Sequence, residues 1–161
     1  MARWTGEWLS APAASRRIDE SELPRWPGER LGLPKQGVGS AAGSGRRFLA
    51  LAIDLAMASL LTALVIRPDF NDPVVMQGFN LWAGAVWALI TIVPVAFFGF
   101  TPGMLALGIR VGRLDGASSV GLWRAVVRGA LTFLIIPAAV RNPDARGWHD
   151  RLTGTVVVRL R

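Results

Sequence analysis

Charged side chains are rare inside the apolar runs of this sequence, and Asp54 is the clearest exception. It is the only charge in the run from Phe48 to Ile66. Arg47 precedes that run and lies about two helical turns before Asp54, so a helix would place Arg47, Ala50 and Asp54 on one face. A carboxylate at such a depth in a membrane is expected to face protein or water, because lipid does not solvate charge. This face therefore predicts an interior surface that packs against another element.

Two kinds of chemistry are open to Asp54: ion pairing with an arginine, or proton exchange along an ion path. In the first, the candidate cations are the arginines closest to the apolar runs: Arg47, Arg124 and Arg128. A second aspartate, Asp150, could accept hydrogen bonds from strand amides or pair with Arg46. Removing one member of a buried charge network often costs about 3–5 kcal/mol, because it leaves an unpaired charge. In the second, Asp54 is a protonatable ligand for a transported cation.

The sequence offers little for catalysis or metal binding. His149 is the only histidine, and there is no cysteine. His149 and Asp150 are adjacent in a segment that is typical of extended chain, where neighbouring side chains point to opposite faces. The glycines at 103 and 108 lack the following Lys-Ser/Thr of a phosphate-binding loop. We expect no enzymatic activity, no metal site and no cofactor.

Long apolar runs must position these residues, and they predict a membrane protein. Apolar residues make up 52% of the 161 residues, and the mean hydropathy is +0.38. Phe48–Ile66 and Gly78–Phe100 are each long enough to cross the roughly 30 Å hydrocarbon core of a bilayer. The third run, Gly129–Val140, is short for a span. Extending it back to Val120 would place Arg124 and Arg128 inside it.

Two short segments on either side of the third run are typical of strands. Leu107–Arg113 and Gly154–Arg161 are each too short to be stable alone, so we expect them to pair. Paired strands lie on one side of the membrane, and the third run would then be re-entrant or horizontal. A true third span remains the alternative.

The arginines are distributed unevenly around the apolar runs. The chain carries a net charge of +7, and its basic residues are all arginine except Lys35. The link from Arg67 to Gln77 has one positive charge, whereas several arginines follow the second run. By the positive-inside rule the link is external and both termini are cytoplasmic. Because the arginines flank apolar runs, the expected partner is a lipid bilayer, particularly its anionic lipids, and not nucleic acid.

Residues 1–44 are rich in proline and glycine and predict a disordered cytoplasmic tail without a signal peptide. Three tryptophans are unusual in a tail with no core to fill. Trp4, Trp8 and Trp26 could therefore anchor the tail on a partner, as an alternative to a solvated linker.

Four segments together resemble the RDD family of bacterial membrane proteins. They are Arg47–Asp54 (RFLALAID), Phe100–Val111 (FTPGMLALGIRV), Leu122–Arg128 (LWRAVVR) and Arg146–Val157 (RGWHDRLTGTVV). The resemblance covers roughly residues 40–160 and implies that Arg47, Asp54 and Asp150 are the residues that give the family its name. It says little about function, because most members have no assigned activity. Some members are thought to exchange cations for protons.

These observations predict an all-α membrane protein of the bacterial plasma membrane, multi-pass, with a cytoplasmic N-terminus. The membrane domain covers 45–161, with helices at about 46–66, 78–100 and 121–140 and a small two-stranded cytoplasmic element at about 107–113 and 154–161. The expected function is a non-catalytic accessory or scaffold protein that binds another membrane protein or itself. The alternatives are a monovalent cation/proton antiporter or ion-conducting oligomer, and an anionic-lipid-binding protein.

Overall fold

The structure is a computed structural model that describes residues 24–117, 119–134 and 147–161. Its helices are α1 (Ser44–Ala63), α2 (Pro73–Phe98), α3 (Pro102–Ala106), α4 (Leu122–Phe133) and α5 (Trp148–Leu152). Its strands are β1 (Ile109–Arg113) and β2 (Thr155–Arg159), and a short 3-10 helix covers Glu29–Leu31. The described part of the chain is therefore mostly helical with one small sheet, as the sequence predicts.

α1 and α2 pack against each other as a hairpin. The link between them ends at Asp72, whose carboxylate accepts hydrogen bonds from the backbone N–H groups of Val74 (2.9 Å) and Val75 (3.3 Å). Pro73 occupies the first helical position, where no N–H is needed. This cap starts α2 at Pro73, well before the predicted residue 78. α2 ends at Phe98. The next residue, Gly99, has a left-handed backbone conformation (φ 79°), which glycine adopts without strain.

One described helix, α2, is long and apolar enough to cross a membrane. Only 22% of the most apolar 18-residue stretch of α2 is buried inside the protein, so much of its apolar surface faces outward. α1 does not qualify in the same way, because any 18-residue stretch of this helix contains three charged residues, Arg46, Arg47 and Asp54. Its outward face is nevertheless apolar: Phe48, Leu60 and Leu64 are 73%, 69% and 82% exposed. The two firm membrane-spanning helices of the sequence prediction thus reduce to one candidate span on this measure.

The two predicted strands pair, and they do so in antiparallel register from Ile109 opposite Arg159 to Arg113 opposite Thr155. Val111 lies opposite Val157 at the centre, and both side chains are fully buried. Pairing two short β-rich segments satisfies backbone groups that neither could satisfy alone.

The last residues of the predicted tail run beside β2. Ala42 N–H donates to the Val157 carbonyl (2.8 Å), and Arg159 N–H donates to the Ser40 carbonyl (2.9 Å). Ser40 and Ala42 are buried. The prediction of a disordered tail up to residue 44 does not describe these residues, because their backbone groups complete the hydrogen bonding of β2. Residues 1–23, which include Trp4 and Trp8, lie outside the described residues.

The third predicted helix, 121–140, corresponds to α4 over its first part. α4 begins after Gly121, whose backbone N–H donates to the Ala96 carbonyl of α2 (3.0 Å), and it packs along α2. Residues 135–146 lie outside the described residues, so the choice between a re-entrant run and a third span is untouched. α3 is an element that the sequence reasoning did not predict.

The best-buried apolar side chains lie where the helices meet the sheet. They come from every layer of the fold: Ala42, Ala50, Val95, Ala96, Ile109, Val111, Val120, Ala125 and Val157. This junction fixes the start of α1, the end of α2 and both strands relative to one another. The charged residues singled out in the sequence lie around it.

Candidate functional site

Asp150 lies at the centre of a buried charge cluster, which we define as Arg47, Arg128 and Asp150. The Asp150 carboxylate is fully buried and pairs with Arg47 of α1 (2.7 Å) and with Arg128 of α4. Both guanidinium groups are nearly buried, at 10% and 7% exposure of their side chains. Arg128 also donates to the Thr155 hydroxyl of β2 (2.7 Å). The cluster therefore joins α1, α4 and α5, and Arg128 connects it to β2.

Arg47 makes backbone contacts as well as its ion pair. Its Nε donates to the Ala42 carbonyl (3.0 Å) and its Nη2 to the Val157 carbonyl (3.3 Å). These two carbonyls belong to neighbouring segments of the chain, the residues before α1 and the strand β2. A planar guanidinium with several donors in fixed directions suits this position, whereas lysine could not reach all three acceptors.

Asp54 is buried too, but no arginine of the described residues pairs with it. Its Oδ2 accepts from the Thr101 hydroxyl (2.5 Å), and its Oδ1 accepts from the Gly103 backbone N–H (2.7 Å). Thr101 caps α3 and in turn accepts from Met104 N–H (3.1 Å). The predicted cation partner is thus wrong for Asp54: neutral donors at the start of α3 replace it. The first N–H groups of a helix have no acceptor within the helix, so the Gly103 N–H is available to the Asp54 carboxylate.

The contact between α1 and α3 depends on glycine. A Cβ on Gly103 would lie against the Ala50 carbonyl oxygen, far inside van der Waals contact, and 3.0 Å from Asp54 Oδ1. Small residues on both sides let the two backbones approach closely enough for the Asp54 hydrogen bond. The face predicted from Arg47, Ala50 and Asp54 is indeed interior: Ala50 and Asp54 are 1% and 2% exposed.

The remaining predicted site residues lie apart from the cluster. Arg46 donates to the Arg161 carbonyl (3.4 Å) and not to Asp150, and Arg124 donates to the Thr153 carbonyl (3.1 Å). Trp26 donates its indole N–H to the Leu33 carbonyl (2.9 Å), a local contact within residues 24–43. The expectation of an extended segment at His149 and Asp150 is wrong, because both lie in α5.

Sequence reasoning missed the neutral partners of the charged residues: Thr101, Gly103 and Thr155. The signal for the first two is present in the sequence. Thr101-Pro102-Gly103 combines a capping residue with a proline at the first helical position, which is typical of a helix start. No comparable local pattern marks Thr155, whose contact comes from tertiary packing.

A cavity of about 330 Å³ lies between α1, α2 and α4 beside these residues. Arg47, Asp54, Thr101 and Arg128 line one end, and mainly apolar residues line the rest, among them Trp87. Among the residues that the structure describes, no three His, Cys, Asp or Glu side chains gather as a potential metal site. The buried charged side chains thus contact other groups of the protein, and a mainly apolar cavity lies beside them.

Comparison with known proteins gives one match. A protein-family model described as RDD family matches residues 41–154. The matched stretch contains the charge cluster, Asp54, the helices α1 to α5 and the strand β1. No curated protein and no solved structure matches the chain.

Proposed function

The chain belongs to the RDD family, and on that premise we propose that it is a non-catalytic integral membrane accessory protein that binds another membrane protein or a second copy of itself. The family is membrane-associated and of uncertain function. The observation that carries the proposal is the use of the family's charged residues. Arg47 and Asp150 pair with each other, and Asp54 fastens α3 to α1.

This use of charge supports a structural role. Each of the three side chains connects elements that are distant in sequence, and each is largely buried. A buried carboxylate that two arginines neutralise is poorly placed to bind a substrate, because breaking such pairs exposes uncompensated charge. The charged residues of the matched region therefore hold the elements together, and we assign partner recognition to the surfaces of the domain.

We propose that α1 crosses the membrane beside α2 and that the sheet lies on the cytoplasmic side. The apolar outer faces of both helices support two spans, and Asp54 faces protein, as an intramembrane charge should. The start of α1 and the end of α2 meet the same sheet, so both ends of the hairpin lie on one side. Exposed arginines at that end, such as Arg46, Arg151 and Arg161, would face anionic headgroups.

A pull-down in mild detergent with mass spectrometry tests the accessory role. The full-length protein is compared with a variant in which Trp4, Trp8 and Trp26 are alanine. We expect one membrane protein, or the chain itself, to co-purify in a fixed ratio, and the variant to lose it while still inserting into the membrane. A control variant, Trp82→Ala, changes an exposed tryptophan of α2. A protein that purifies alone from every preparation would refute the proposal.

One observation favours cation/proton exchange as a second candidate. Asp54 lines the cavity between the helices, so its carboxylate has open space beside it. Reconstitution in proteoliposomes decides between the two functions. A proton movement that depends on Na⁺ or K⁺ and disappears in a well-folded Asp54→Asn protein would establish the antiporter. We expect no such flux in the unmodified protein.

A further inference from the structure

The cavity continues into a longer groove along α2. A second cavity of about 290 Å³ adjoins it and shares Leu51, Leu55, Trp87 and Thr132 with it. On α2 the lining reaches from Val95 in the first cavity to Asn80 in the second. That distance is about 22 Å along a helix. The first cavity alone is within the range of about 300–1,000 Å³ that is typical of small-molecule sites.

Trp87 lies at the junction of the two cavities and carries an unsatisfied donor. The residue is 5% exposed, and its indole Nε1 is buried without a hydrogen-bond partner among the described residues. Indole nitrogen can only donate, so it requires an acceptor. Buried donors without one are rare in folded proteins, and such a group calls for an explanation. An acceptor on a bound molecule would satisfy it.

The position of Trp87 restricts what that molecule can be. Trp87 is near the middle of α2, between Pro73 and Phe98. If α2 crosses the bilayer, the indole lies close to the midplane, far from the headgroups. A phospholipid places its ester carbonyls near the interface and could not present them there. The acceptor must belong to a molecule without a charged headgroup that dissolves in the bilayer interior.

The surroundings of Trp87 favour a flat ring. Trp87 packs against Phe133 of α4 with ring centroids 6.0 Å apart, which forms an aromatic wall beside the groove. The groove is lined mainly by apolar side chains, and two of them, Phe48 and Leu55, are 73% and 48% exposed. An entrance at these residues would face lipid. The charged end needs no ionic ligand, because Asp150 pairs with both arginines and Asp54 has its own donors.

We propose that the groove binds a neutral quinone of the isoprenoid type, with a ring carbonyl accepting the hydrogen bond from Trp87 Nε1. A quinone combines a flat apolar ring, carbonyl acceptors and a long hydrocarbon tail, and it dissolves in the bilayer interior. The tail would follow the second cavity toward Asn80. The proposal concerns binding alone and goes beyond the accessory role, although it rests on α2 crossing the membrane.

Equilibrium retention of radiolabelled decyl-ubiquinone by the purified full-length protein tests the site. We expect saturable binding of one molecule per chain. Trp87→Phe keeps an aromatic ring but removes the N–H donor. Binding should therefore weaken about fivefold, the usual effect of losing one hydrogen bond. Trp82→Phe, on the exposed face of the same helix, should bind normally. Thr132→Phe fills the groove and should abolish binding, whereas Ala130→Phe on the exposed face of α4 should not.

Several outcomes would overturn the proposal. Retention that does not saturate would show that the probe merely partitions into detergent, and equal retention by Trp87→Phe would show that the indole N–H does not hold the ring carbonyl. Stronger binding of diolein than of the quinone would assign the groove to an acyl ester. Failure of a folded wild-type protein to bind either probe would leave water as the partner of Trp87. These results are independent of the pull-down, so the two proposals can fail separately.

Discussion

At the scale of single residues, Asp150 is the carboxylate that pairs with two arginines from different helices. It is fully buried between two guanidinium groups, so Asp150→Asn leaves both without their counter-charge. We expect a loss of about 3–5 kcal/mol in the free energy of unfolding, the usual effect of breaking a buried ion pair. Denaturant unfolding in detergent measures it. Asp115→Asn, at an exposed ion pair with Arg113, is the control and should change stability little. An equally stable Asp150→Asn protein would contradict the described cluster.

Asp54 predicts a different pattern of coupling. Its partners are the Thr101 hydroxyl and the Gly103 N–H, so removal of its charge leaves no arginine unpaired. Asp54→Asn should cost about 1–3 kcal/mol, the range for a buried hydrogen-bonding group that loses its partner. In double-mutant cycles it should be coupled to Thr101→Val and nearly additive with Arg128→Met. Strong coupling to Arg128→Met would restore the ion pair that the sequence suggests.

The same residues show which parts of the site the sequence alone can predict. The spacing of Arg47, Ala50 and Asp54 correctly indicates a buried face, because helical periodicity is a local property. The partner of Asp54 could not be read in the same way. Every residue except proline has a backbone N–H, so the sequence does not show which one will bind a carboxylate. Arginines are the obvious candidates by residue type, and Gly103 is not. The pairing of Asp150 with Arg128 in turn depends on how α4 and α5 pack.

At the scale of elements, the contact between α1 and α3 is the most sensitive to volume. Gly103→Ala would place a methyl group against the Ala50 carbonyl, and neither backbone can yield without loss of the Asp54 hydrogen bond. We expect a destabilisation of about 1–3 kcal/mol, as for other overpacked sites. Thermal unfolding followed by circular dichroism measures it. Gly45→Ala, where an added Cβ meets nothing within 4 Å, should keep or slightly raise the stability, because alanine favours a helix over glycine. Equal stability of the two variants would contradict the close approach.

The strands were predictable and the helix boundaries less so. Val156, Val157 and Val158 form a β-branched run that glycine precedes, which is a strong local signal. α2 starts earlier than predicted because Asp72 and Pro73 begin the helix five residues before the apolar run at Gly78. α3 is too short for hydropathy to predict it. The capping residue Thr101 followed by Pro102 is the better sequence signal for this helix.

At the scale of the whole molecule, the hairpin and the sheet predict which segments face which compartment. The sequence has no cysteine, so single cysteines can be introduced without background. Lys35→Cys and Leu160→Cys should be protected from a membrane-impermeant reagent on intact cells, and Asn71→Cys in the link should be labelled. All three positions are exposed, so protection reports the membrane and not burial. External labelling of Leu160→Cys would place the sheet outside and refute the proposed topology.

The ion pair between Arg47 and Asp150 spans 103 positions of the chain, which orders events during biosynthesis. At about 5–20 residues per second, roughly 5–20 s pass between synthesis of the two residues. During that interval Arg47 cannot form its ion pair with Asp150, because Asp150 has not yet been synthesised. Nascent chains arrested before residue 150 should therefore be more sensitive to protease than chains arrested after release of the whole domain. Assembly of the charge cluster thus waits until Asp150 has been made, and deletion of α5 should expose the partly assembled domain to quality control.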